Sequence, residues 1–206
     1  MGLDMYINRF PRNKTREELD AESEAAWAKG LEHWRKTIRL VREVAYWRKV
    51  NWLHGYIVRT FADGVDECQP IELSRDDVGT ILSRCFEAAD VLSGKRMICQ
   101  KEVGVEKWES IWEDDTSVEP IVIDFSCGYG AYSDRLWDNT EDRYWRVEDC
   151  VKEQLDSILP PEHGFFFGTY EYDMWYVSEL SRTISMLANI LEGWDDDYRY
   201  VYQASW

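Results

Sequence analysis

Eleven Trp and twelve Tyr in a chain of 206 residues demand a folded core, because each such side chain hides roughly 150–250 Å² when packed. An acidic, solvated coil has no place for them, and at 45% hydrophobic residues the chain has the apolar mass to build around them. The length suits one domain spanning residues 1–206. Helical and strand periodicities alternate along it. They predict an α+β fold in which a small, mostly antiparallel sheet packs against several helices around a single core, with residues 95–161 as an acidic insertion.

The net charge of −16 opposes non-specific binding to nucleic acid and favours basic partners. The charge is unevenly spread. Residues 1–60 hold 12 Lys and Arg against 8 Asp and Glu, a balance of +4, and residues 61–206 hold 12 against 32, a balance of −20. No basic n-region with an apolar h-region opens the chain and no stretch approaches the roughly 20 apolar residues of a membrane span, so a cytoplasmic protein is expected, with no membrane partner. Five cysteines, Cys68, Cys85, Cys99, Cys127 and Cys150, are widely spaced without a CxxC pair. They read as reduced, mostly buried thiols rather than a disulfide framework or zinc site.

Leu3 to Ile7 reads as an opening strand. Thr15-Arg16-Glu17-Glu18 matches a capping box and starts a helix. Leu31, Trp34, Ile38, Val41 and Ala45, then Val50, Leu53, Ile57 and Phe61, fall at helical spacing and predict one long or two abutting helices. Arg35, Lys36, Arg39, Arg42, Arg48, Lys49 and Arg59 make this the basic part of the chain, read first as a solvated helix face. Asp63-Gly64 is a turn, Ser74-Arg75-Asp76-Asp77 a second capping box, and Gly94 a helix stop. Pro120 to Phe125 reads as a strand, with Thr140 to Val147 pairing back across it. Glu148 to Leu159 and Ser178 to Leu191 read as helices, Gly164 to Gly168 as a buried strand, and Tyr198, Tyr200 and Tyr202 alternate as a closing strand.

Three sets of residues invite a functional reading. Val122 to Gly130 resembles the first motif of S-adenosylmethionine-dependent methyltransferases, a strand opening into a Gly-rich loop. Beyond Glu148, however, too little chain remains for that fold's further strands and crossover helices. His54 shares a helix with Arg48 and Asn51, and with Tyr172 and Asp173 it forms a candidate polar pocket in which imidazole and carboxylate act as an acid/base pair. A satisfied core histidine is the plainer reading. The clustered carboxylates Glu113, Asp114, Asp115, Glu141, Asp142, Glu148 and Asp149, with Asp195-Asp196-Asp197, lack calcium-loop spacing. As solvated faces they are unremarkable. As a surface they imitate the phosphates that a nucleic-acid-binding protein meets with Lys and Arg. No residue pattern calls for a metal or a cofactor.

Several segments resemble a family of uncharacterised bacteriophage and prophage proteins, often mislabelled phosphoglycerate kinase. They are Met1 to Tyr6, Glu43 to Asn51 with His54, Asp66-Glu67-Cys68, Ser74-Arg75-Asp76, and Gly164 to Tyr176, about half the chain. The kinase label has no support here, since the chain has no Gly-rich nucleotide loop with a Lys. The resemblance implies a phage setting. Joined to the charge pattern, it gives the leading expectation of a non-enzymatic protein that binds a host protein, a nuclease or CRISPR effector, as an acidic DNA mimic without touching nucleic acid itself. The alternatives are a small enzyme or ligand-binding protein using the His54 pocket, or a homo-oligomer in which the basic helix of one copy meets the acidic part of another.

Overall fold

The computed structural model describes residues 2–39, 42–104, 107–111, 122–125, 143–164 and 168–206. The protein is α+β. Its contacts cluster into two compact units, one of Met1–Thr80, Gly164–Gly168 and Asn189–Trp206, the other of Ile81–His163 and Thr169–Ala188.

The first unit is built on a four-stranded antiparallel sheet. Strand β1 (Asp4–Pro11) is followed by helix α1 (Arg16–Ala28), a short helix α2 (Leu31–Trp34) that runs into a π-helical turn (Arg35–Arg39), strand β2 (Glu43–Arg48) and helix α3 (Asn51–Phe61). Strand β3 (Ile71–Leu73) and the closing strand β7 (Tyr198–Ser205) complete the sheet in the order β2-β1-β7-β3.

Alternation explains the register. Met5 and Ile7 stand opposite Trp47 and Ala45 on one side and Ala204 and Tyr202 on the other, and all six are buried. Since successive strand residues point to opposite faces, Tyr6, Asn8 and Phe10 stand on the second face, half-buried. Burying Met5, Ile7, Trp47, Leu73, Tyr200 and Tyr202 stabilises the sheet by about 1.5–3 kcal/mol per large apolar side chain. Helix α3 covers this core face, buried at Asn51 to Gly55, Ile57 and Val58.

The long helix predicted across residues 31–61 is not formed. Glu43–Arg48 is a strand, because its residues also alternate: Ala45 and Trp47 turn into the core while Val44 and Tyr46 do not. Pairing with β1 satisfies backbone donors that a sheet edge would leave open. Lys49, at φ 59°, turns the chain from β2 into α3, its N–H donating to the Leu3 carbonyl at 2.7 Å.

In the second unit, strands β4 (Met97–Gly104), β5 (Lys107–Ile111) and β6 (Arg143–Val147) form an antiparallel sheet ordered β5-β4-β6. The segment read as an insertion supplies these strands and helix α5 (Asp149–Leu155). The remaining helices, α4 (Arg75–Leu92) and α6 (Met174–Glu192), run across the limits of the two units. Gly94, at φ 73°, ends α4 just beyond Leu92, as its position predicts.

Two strand expectations are corrected here. Of the segment 120–125, the described residues Val122–Phe125 make a single bridge, Arg96 to Val122; the Ile123 backbone instead exchanges bonds with Gly94 and Lys95 at the end of α4. Among the described residues, strand β6 pairs with β4. In the Gly164–Gly168 stretch, Phe165 to Phe167 lie outside the described residues. Cys85 is buried, Cys68 half-buried and Cys150 exposed.

Candidate functional site

The structure gives His54 a carboxylate, but from a nearer part of the chain than expected. Its Nε2 lies 3.0 Å from Asp66 Oδ2 and its Nδ1 2.7 Å from the Tyr202 hydroxyl. A carboxylate only accepts, so Nε2 carries the proton and donates to Asp66, while Nδ1 accepts from Tyr202. Burial, with the Asp66 charge behind it, pushes the Tyr202 hydroxyl well above its ordinary pKa, which keeps it a donor. Trp206 closes over the imidazole, ring centroids 5.6 Å apart. With His54 1% exposed and both ring nitrogens engaged, the group fastens the loop after the Asp63-Gly64 turn to α3 and β7. An imidazole so enclosed has no face for a substrate.

The other members of the expected pocket are placed as follows. Asn51 is buried at the start of α3 and Arg48 is exposed at the end of β2. Tyr172 and Asp173 belong to the second unit. There the Tyr172 hydroxyl donates to Asp156 at 2.7 Å, and Asp173 Oδ1 accepts from the Tyr176 N–H at 3.0 Å, a helix-capping bond at the head of α6.

Of the acidic residues, Glu113, Asp114, Asp115, Glu141 and Asp142 lie outside the described residues. Glu148 and Asp149 are exposed where α5 begins. Two carboxylates not singled out from the sequence extend them: Glu153 and Asp156 are also exposed, and the spacing 149, 153, 156 sets three carboxylates along one helical face, about 5.4 Å apart per turn. Arg146 reaches Asp149 at 2.6 Å, but the aspartate side chain remains 79% exposed, so water screens the pair and leaves it a weak tether. The period of 3.6 residues was the signal for this row.

A groove that no sequence pattern announced lies on the second face of the first unit's sheet. It encloses about 450 Å³. Tyr6, Asn8 and Phe10 of β1 form its floor, and Trp34, Ile38, Arg39, Arg42 and Glu43 its sides. The Arg42 guanidinium donates to Glu22 Oε2 at 3.0 Å and stands 5.9 Å from the Phe10 ring centre; Arg39 lies 3.6 Å from Glu43. The Lys14 hydrogen bond, with Arg42 assisting, holds the Glu22 carboxyl below its ordinary pKa. Next to this face, burial and a hydrogen bond to Asp4 push the Tyr46 hydroxyl up to about 12.

Among the described residues no group of three His, Cys, Asp or Glu is placed to hold a metal ion, and no helix is long and apolar enough to cross a membrane. Comparison with protein-family models, with curated proteins and with solved structures returns no match.

Proposed function

We propose that this is a phage-derived, non-enzymatic binding protein that acts in the cytoplasm of a bacterial host on a nucleic-acid-processing protein, a nuclease or CRISPR effector, by offering carboxylates where that partner receives phosphates. The observation that carries the reading is the exposed row Asp149, Glu153 and Asp156, beside Glu148, in a part of the chain whose charge balance is −20. A basic nucleic-acid channel attracts such a surface over distance and holds it with charge-assisted hydrogen bonds. The enclosure of His54 favours recognition over acid/base chemistry at that position.

Affinity capture of the tagged protein from a bacterial lysate, after nuclease treatment, tests the reading. A stoichiometric nucleic-acid-processing protein is expected, and adding the acidic protein should then release that partner's DNA or RNA in a mobility-shift assay. Capture of a partner that keeps its nucleic acid bound contradicts the mimicry.

A further inference from the structure

Among the described residues, one face of the first unit's sheet is filled by buried side chains. On the other, Tyr6, Phe10 and Trp34 remain half-exposed around a groove of about 450 Å³, which falls in the range of small-molecule sites, roughly 300–1,000 Å³. Three aromatic rings and Ile38 make its walls flat and apolar, the surface on which planar rings stack.

Three of the polar side chains in the lining are charged: Arg39, Arg42 and Glu43. Arg42 has a side chain only 14% exposed and is steadied by Glu22. It spends one of a guanidinium's five N–H donors on that carboxylate. Arg39, at the rim, faces Glu43. Arg199 stands across from Phe10 in the sheet, its Cζ 5.8 Å from the same ring, with a buried Nε that has no hydrogen-bond partner among the described residues. Arg39 and Arg42, the two guanidinium groups that line the groove, are matched by the carboxylates of Glu43 and Glu22, and Arg199 adds a third guanidinium beside Phe10. A forked guanidinium suits a phosphate, accepting its oxygens' geometry in two places at once. Asn8, also in the lining, offers an amide with both donor and acceptor, the pairing needed to read the edge of a nucleobase.

We propose that this groove binds a nucleoside monophosphate, with the base among Tyr6, Phe10 and Trp34, its edge on Asn8, and the phosphate on Arg39 and Arg42. A single nucleotide fits both the volume and the charge: a polymer would bring many phosphates to a strongly acidic molecule and be repelled. The site is separate from the acidic row and stands or falls without it.

Calorimetric titration of the full chain with AMP, GMP, CMP and UMP tests the site, with adenosine and inorganic phosphate as partial ligands. At least one nucleotide is expected to bind one-to-one with a Kd below about 1 mM, and the partial ligands at least about tenfold more weakly. Arg39→Ala removes an exposed cation, and Asn8→Trp fills the groove from the strand. Both should weaken binding by about tenfold or more while circular dichroism shows an unchanged fold. Absence of binding by all four nucleotides, equal affinity for adenosine, or undiminished binding in either folded variant overturns the proposal.

Discussion

His54 and Glu179 are both buried polar groups, and they differ in what surrounds them. His54 has a donor and an acceptor matched to its two nitrogens. Tyr202→Phe leaves Nδ1 buried without its donor and should cost about 1–3 kcal/mol, read as a lower urea midpoint with an unchanged slope. A midpoint equal to wild type would show that the bond contributes nothing. Glu179, in α6, is buried, and burial raises its carboxyl pKa above 4.5 although Arg182 pulls it down. A raised carboxylate pKa favours folding below the unfolded value, and that benefit is lost as pH rises through the folded one. Glu179→Gln should therefore raise the urea midpoint near about pH 7 and change it little below about pH 4; an equal shift at both pH values contradicts this sign. The sequence identified His54 as a residue in need of a carboxylate and looked for it at Asp173. Helical spacing tells which side chains share a face, not which loop comes to meet them, and Asp66 arrives through the turn at Asp63-Gly64.

Capping boxes are local, and both were legible. Glu18 and Thr15 exchange bonds at 3.3 and 2.8 Å, and Asp77 and Ser74 do so at 3.1 and 2.8 Å. Thr15→Ala and Ser74→Ala should each destabilise by about 1 kcal/mol in chemical denaturation, and no loss at either position would show that flanking contacts suffice there. Strand β2 was not legible as a strand. Over a segment as short as Glu43–Arg48, helical and alternating patterns coincide, and the decision came from β1, whose open edge only a partner strand satisfies. The closing strand was read correctly from Tyr198, Tyr200 and Tyr202, but its position between β1 and β3 depends on pairings distant in sequence. The groove was hidden for the same reason: Tyr6, Trp34 and Arg42 become neighbours only when β1, α2 and β2 are assembled.

At the scale of the whole molecule, charge is the property most plainly written in the sequence. Composition gave the α+β class its apolar mass, alternating periodicities gave its elements, and the imbalance between the two ends of the chain gave a direction to the functional reading. Whether a carboxylate is exposed is a matter of packing, which is why Glu153 and Asp156 joined Glu148 and Asp149 only in the structure. The proposed docking surface makes one demand above others: partner binding must depend on these carboxylates and weaken with salt. The most direct measurement is a side-by-side capture, after nuclease treatment, with wild type and with a variant carrying Asp149→Lys and Glu153→Lys. Both positions are exposed, so the variant should fold. Loss of the nucleic-acid-processing partner from the variant alone is the expected result, and equal recovery from both proteins would contradict the acidic surface as the site of binding.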